Sequence, residues 1–405
     1  MNASERLIRY TAYPTASDGA GTERPSTGGQ RVFAQALAAE LQEIGMQDVT
    51  LRDGAVFASL PASAGCENAP ALGFIAHMDV SPDAPDAPIR PRTVAYTGGD
   101  IVLNESYTLS PERFPVLNRL VGQTLIVTDG NTLLGADDKA GIAEIITACE
   151  RLIADPAHRH PKLCIAFSPD EEIGRGADGF DVEKFGAKYA YTLDGSAFHA
   201  VSYENFNAAA LTVTVTGRSV HPGSAKNKMI NAAAVAAEYI SMLPVAERPE
   251  HTEGRQGFYH VTSIRGTVES AQIQVILRDH DRRRLDDRKD YARRIAEILN
   301  QRLGTDAVAT EIRDSYANMC EKIEPEFHLV DRAFEAIRAL GAEPISAPIR
   351  GGTDGAVLSF MGLPCPNLGT GSYNHHGRLE FACVEEMEQC VRLVMALAER
   401  YADPV

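Results

Sequence analysis

Two adjacent carboxylates, Glu171 and Glu172, stand in the segment Ser168-Pro-Asp-Glu-Glu-Ile-Gly174, directly after the apolar run 163–167. A pair of this kind is either a solvated surface feature, because carboxylates prefer water unless something pairs with them, or the acidic part of a site. Four other segments carry groups that could join it. His77 and Asp79 are two residues apart, so on extended backbone they face the same way. A carboxylate so placed fixes the tautomer of an imidazole and raises its basicity, in a core as well as at a metal. Asp137-Asp138-Lys139 lies in a turn bracketed by Gly135 and Gly141, where a helix N-cap and a ligand-bearing turn read alike. Asp194-Gly195 ends a further apolar run, and His375-His376-Gly377 is a surface pair or a site.

Together these segments offer two histidines and at least three carboxylates, without thiolates, from five distant parts of the chain. Structural zinc sites use closely spaced Cys and His, whereas nitrogen and oxygen donor sets with open positions suit catalytic zinc, cobalt or manganese. Five ligands with one shared carboxylate hold two divalent metals about 3.5–4 Å apart, the separation used in two-metal hydrolysis. A sixth carboxylate beside them can serve as a base, which gives the Glu171/Glu172 pair two different jobs.

Such groups must be delivered by a scaffold. The chain is α/β: apolar, strand-like runs at 55–60, 71–76, 124–128, 163–167 and 189–193 alternate with helical periodicity at 28–44 and 142–152. Each candidate group falls at or near the end of one of these strands, where open α/β sheets carry their ligands, and the strands are expected to form one mostly parallel mixed sheet. From about residue 208 the register changes. Strand patterns at 210–216, 258–265, 272–278 and 307–312, with helices at 231–243 and 284–303, spell β-α-β-β-α-β, the ferredoxin-like α+β signature. Residues 208–317 are therefore read as an inserted lid or dimerisation domain. A discontinuous catalytic domain, 1–207 and 318–405, surrounds it and is completed by a helix at 325–340, a strand near 366–369 and a helix at 385–401.

At 405 residues the chain is long enough for two cores. A net charge of −16 argues against nucleic-acid and anionic-membrane partners. The first ten residues carry charges where a signal peptide needs an apolar stretch, and no later run approaches a membrane span, so a cytoplasmic protein is expected. The seven cysteines are dispersed, with no Cys-x-x-Cys spacing, and read as reduced thiols.

The motifs AHMD at 76–79, LLGADDKAG at 133–141, SPDEEIG at 168–174 and NHHG at 374–377 resemble those of the two-zinc exopeptidase superfamily that includes carboxypeptidase G and aminoacylase. ENFNA at 204–208, VHPGSAK at 220–226, IRGGTDGA at 349–356 and MGLPCPN at 361–367 resemble its tripeptidase branch, so the likeness runs over nearly the whole chain. It implies that His77, Asp137 and Asp194 hold one zinc and that Asp137, Glu172 and His376 hold the other. Glu171 is then the general base, Asp79 the partner of His77, and the Asp137–Asp138 peptide is cis. His375 stands where similar proteins have a tyrosine, and His280 where an aromatic residue is usual. His221 is the expected oxyanion donor, supplied by closure of the inserted domain or by the partner subunit of a homodimer. Arg350 and Arg278 are the cations assigned to the carboxylate end of a short peptide, with Lys226 and Asn231 helping to position it. The resemblance implies release of the N-terminal residue from tripeptides. A dipeptidase, an N-acyl-amino-acid amidohydrolase and a non-catalytic metal-dependent peptide-binding protein are the alternatives.

Overall fold

The computed structural model describes residues 1–403 as two compact units. The first comprises Met1–Tyr203, Glu321–Ala347 and the chain from Thr353 onward; the second is Glu204–Cys320 with Pro348–Gly352.

The first unit is built on an eight-stranded mixed sheet. Its strands follow the order Gln47–Arg52, Ala55–Leu60, Leu163–Ser168, Leu72–His77, Tyr189–Gly195, Asn367–Gly369, Ala200–Ser202, Ile345–Ser346. The four strands from Leu163–Ser168 to Asn367–Gly369 run parallel. Both Leu163–Ser168 and Leu72–His77 are buried along their whole length, which is why they read as unbroken apolar runs rather than alternating ones. The helix Ala136–Ala154 packs on these strands and is itself nearly all buried. A Cβ at Gly141 would lie 2.3 Å from the Leu193 carbonyl oxygen, so the helix approaches the Tyr189–Gly195 strand at a distance only glycine allows.

The single sheet expected from the sequence is in fact two. Thr124–Val127, which leads to the Asp137 turn, and Ser372–Tyr373, which leads to His376, belong to a separate four-stranded antiparallel sheet with Phe381–Cys383 and Arg92–Ala95. A four-residue apolar strand has no periodicity to declare its sheet, and its partner Phe381–Cys383 is some 250 residues away in sequence. The helix expected at 325–340 is also shorter: a 3₁₀ turn at Glu324–Glu326, its second position a proline, precedes the α-helix His328–Ala339.

In the second unit, strands Asn207–Thr216, Phe258–Gly266, Ser270–Asp279 and Val308–Tyr316 and helices Ala232–Met242 and Arg282–Leu303 follow one another as β-α-β-β-α-β. The strand order is Phe258–Gly266, Ser270–Asp279, Asn207–Thr216, Val308–Tyr316, antiparallel throughout. Leu211, Val213 and Val215 alternate into a core closed by Val235, Tyr239, Ile295 and Leu299 of the two helices. The Arg350 turn joins this unit through Ile349, whose N–H donates to the Glu204 carbonyl at 2.9 Å.

Candidate metal centre

His77 ends its buried strand with both ring nitrogens engaged. Nδ1 lies 3.0 Å from the Asp79 carbonyl oxygen, which can only accept, so Nδ1 carries the proton. Nε2 then points at Asp137 Oδ1, 3.0 Å away, and at Asp194 Oδ1, 3.7 Å away. Asp194 reaches this point from the end of the Tyr189–Gly195 strand. Asp137 reaches it because the start of the Ala136–Ala154 helix is not helical: Gly135 has φ 72°, Asp137 and Asp138 depart from helical geometry, and the peptide between them is cis. On the other side of Asp137, His376 Nε2 is 3.1 Å from Asp137 Oδ2 and 2.9 Å from Glu172 Oε2.

Two groups of donor atoms result, His77–Asp137–Asp194 and Asp137–Glu172–His376, each with all its atoms within 4.8 Å of one another and with Asp137 common to both. The electrostatics call for positive charge in each. Burial pulls the His77 imidazolium down, but hydrogen bonds to Asp137, Asp194 and Asp79 outweigh it and raise its pKa well above the ordinary value. Hydrogen bonds to Asp137 and Glu172 push His376 up to about 11. Burial raises Glu172 to about 7 against the His376 contact, and its Oε1 is buried without a hydrogen-bond partner among the described residues. Protons on the two imidazoles thus stand where cations would neutralise three clustered carboxylates, and the all-nitrogen-and-oxygen donor set fits divalent metals.

Glu171 and Glu172 form a 3₁₀ turn between two left-handed residues, Asp170 and Gly174. Asp79 sets that turn, because its Oδ1 accepts the Glu171 N–H at 3.0 Å and its Oδ2 the Glu172 N–H at 3.1 Å. Asp79 therefore holds His77 and both glutamates at once. The Glu171 carboxyl accepts no hydrogen bond among the described residues; burial first, then the carboxylates of Asp194, Asp354 and Glu172, raise its pKa well above the ordinary value. His375 turns away from Glu172: its Nε2 meets Ser372 Oγ at 2.8 Å, and its Nδ1 lies 3.4 Å from Asp137 Oδ2.

Several supporting residues escaped the sequence reading. Asp170 accepts from Ser26 and Gln30 and anchors the glutamate turn to the helix Gly28–Glu43. Asp354, raised to about 6 by burial, accepts from Ser168 Oγ at 2.7 Å. Asn367 donates to Thr353 Oγ1 at 2.9 Å, and Thr353 in turn reaches Asp194 Oδ2 at 3.4 Å. Glu380 accepts three backbone N–H groups of the loop that carries Asp137. The acids sit in or near the quoted motifs, but no local spacing announces which backbone each will hold.

The remaining candidates belong to the second unit. His221 is exposed, and its Nδ1 accepts the Gly223 N–H at 3.1 Å. Lys226 is exposed nearby, and Asn231 caps the Ala232–Met242 helix by accepting from the Ala234 N–H. Arg350 donates to the carbonyls of Gly254 and Gln256 and to the Thr252 hydroxyl, with its guanidinium over Phe206 at 5.0 Å. Arg278 donates to the Arg350 carbonyl at 2.8 Å and lies over the rings of Phe258 and Tyr316. His280 packs against Phe206, with ring centroids 4.3 Å apart.

Residues 203–307 match the family model of a peptidase dimerisation domain. In solved structures, the fold is similar to that of aminopeptidase PepT from Bacillus cereus, with a TM-score of 0.76 and 22% identity over the whole of both chains. It is also similar to the YXEP protein of Bacillus subtilis, described as a dinuclear metal binding peptidase from the M20 family, with a TM-score of 0.66, 15% identity, 99% of this chain and 98% of that one. In sequence, 49% identity over 400 residues links it to peptidase T of Caldanaerobacter subterraneus subsp. tengcongensis, covering 98% of each chain. With that identity sustained from end to end, the chain belongs to the peptidase T family.

Proposed function

We propose that this chain is a two-metal aminopeptidase that releases the N-terminal residue from tripeptides. The observation that carries the reading is the pair of donor groups sharing Asp137, with the Glu171 carboxyl beside them and committed to no other partner. His77, Asp137 and Asp194 would hold one divalent metal and Asp137, Glu172 and His376 the other, with zinc favoured and cobalt or manganese suited to the same donors. Bound there, the metals supply Lewis acidity toward a carbonyl oxygen and a water acidified toward neutrality.

The chain's own residues supply the rest. Asp79 holds the Glu171 backbone in place, so the carboxyl is delivered from a fixed turn. A carboxyl held in a buried, acidic setting keeps a proton more readily than one in water, which suits Glu171 to take a proton and return it to the leaving amine. Because His221 Nδ1 accepts a backbone N–H, its neutral ring carries the remaining proton on Nε2, an available donor for the oxyanion. Arg278 and Arg350, with Lys226 and Asn231, would bind the carboxylate end of the peptide. The match to a dimerisation domain supports pairing of two copies through the second unit. Among the described residues no helix is long and apolar enough to cross a membrane, in keeping with a cytoplasmic enzyme of peptide breakdown.

Comparing hydrolysis of a free-amine tripeptide, a dipeptide and an N-acetylated amino acid by the zinc- and cobalt-loaded protein tests the reading. Preference for the tripeptide supports it. Preference for either other substrate replaces it with the dipeptidase or amidohydrolase, and no hydrolysis by either metal form leaves a binding protein.

A further inference from the structure

Glu380 lies four residues after His376, on the same loop, and only 1% of it is exposed. Its carboxylate accepts from the backbone that presents one of the metal ligands. Oε2 accepts the N–H groups of Leu134 and Gly135, each at 2.7 Å, and Oε1 accepts the N–H of Asp137 at 2.9 Å. These amides lie at the non-helical entrance to the Ala136–Ala154 helix, where Gly135 is left-handed and the usual helical acceptors are missing. Glu380 supplies those acceptors with one charge.

The same residue is tied to the other loop through its backbone. Its N–H donates to the Gly377 carbonyl at 3.2 Å, closing the turn that directly follows His376, itself at φ 61°. The strand that follows it, Phe381–Cys383, pairs antiparallel with Thr124–Val127, which leads into the Asp137 loop. Main chain and side chain of one residue thus fix two ligand-bearing loops against each other.

We propose that Glu380 is a positioning residue for the whole binuclear centre. By holding the Asp137 amide it sets where the shared carboxylate stands, so both metal affinities depend on it together, whereas each other ligand serves one metal. The inference rests on the two-metal reading of the site. In Glu380→Gln one acceptor oxygen becomes an NH₂ group facing backbone N–H donors. In Glu380→Asp the charge stays and the carboxylate is withdrawn by one methylene.

The test is titration of the metal-stripped full chain with zinc against a chromogenic chelator, together with the visible spectrum of the cobalt(II) form. Wild type should bind two metals. Glu380→Gln is expected to weaken both binding steps together, by roughly 10–100-fold, and to alter the cobalt spectrum, while Asp194→Asn weakens one step. If Glu380→Gln does not fold, Glu380→Asp is read in the same way. Two unchanged affinities with an unchanged cobalt spectrum, whatever the loss in Tm, would overturn the proposal, as would weakening of one step only. A wild-type chain that binds two metals yet cleaves no tripeptide ends the proposed activity but leaves this inference standing; one that binds fewer than two ends both.

Discussion

His376 Nε2 and Glu172 Oε2 approach to 2.9 Å, although the two residues are more than 200 positions apart in sequence. His375, the other member of the doublet, is held instead by Ser372 at 2.8 Å, and its Nδ1 lies 3.4 Å from Asp137 Oδ2. The doublet therefore separates in a metal titration. His376→Ala is expected to remove one of two bound metals and at least a hundredfold of turnover, on the order of what loss of a directly bound group costs. His375→Tyr, which restores the residue usual in similar proteins, is expected to keep both metals. Equal loss in the two variants would mean that His375 also ligates.

Glu171 and Glu172 share a turn and differ in partners. Replacement of Glu172 by Gln removes the charged oxygen that meets His376 at 2.9 Å, leaving Asp137 as the carboxylate beside that imidazole, and should cost a metal. Glu171→Gln keeps every contact that Asp79 makes to the turn, since those run through backbone N–H groups. It should retain both metals and lose ~10²–10⁴-fold in kcat, the range typical of a general base. Metal analysis and steady-state kinetics on the same preparations decide it. An empty site in Glu171→Gln would reverse the two roles.

Metal removal should destabilise the chain as well as silence it. Three carboxylates, Asp137, Asp194 and Glu172, converge with only imidazoles to offset them. Stripping with a chelator should lower Tm, and adding zinc should restore it in a concentration-dependent way. A metal at a hundredfold its Kd contributes about 2.7 kcal/mol to stability. A Tm indifferent to the chelator would mean that the site holds no metal that matters to folding.

What was legible in the sequence was chemistry at strand ends. The buried strands Leu163–Ser168 and Leu72–His77 announce themselves as unbroken apolar runs, and His77, Glu171, Glu172 and Asp194 stand at or just past the ends of strands read in this way. The second unit was legible for the opposite reason: its strands alternate, and two helices interrupt them in a recognisable order. Non-local pairing was not legible. Nothing in Thr124–Val127 tells that its partner is Phe381–Cys383, and so neither the second sheet nor the role of Glu380 could be read. The first helix, Ala3–Tyr10, does carry a local signal: Asn2 and Glu5, three residues apart, form a capping box.

Asn231 has a structural duty that any substrate assay must separate from binding. Its side chain accepts the Ala234 N–H and caps the Ala232–Met242 helix. Asn231→Ala should cost about 1 kcal/mol of stability, whereas Asn231→Asp keeps a capping oxygen and should cost little. If Asn231 also orients the peptide, both variants raise KM in denaturant-free assays, and Asn231→Asp does so without the stability loss. An Asn231→Asp variant with unaltered KM would assign the residue to the cap alone.

Glu144 predicts a pH dependence away from the metal ligands. It is wholly buried within the Ala136–Ala154 helix. Burial first, with the Asp138 carboxyl behind it, raises its pKa well above the ordinary value, and among the described residues neither carboxyl oxygen has a hydrogen-bond partner, the Cys390 thiol donating to the Gly369 carbonyl instead. In the unfolded chain a glutamate titrates near about 4.3. Between that value and its raised native value, the folded protein keeps the Glu144 proton and the unfolded chain has lost it, so the unfolding free energy falls as pH rises through the window. Its contribution is therefore complete below the unfolded value and lost on passing the native one. Glu144→Gln cannot ionise and should remove this slope: equal to wild type at about pH 4, and more stable than wild type by a margin that grows toward about pH 8. Denaturant melts of both proteins in the same metal-loaded state across that range measure the difference. A margin that does not change with pH would show that Glu144 keeps the same charge folded and unfolded.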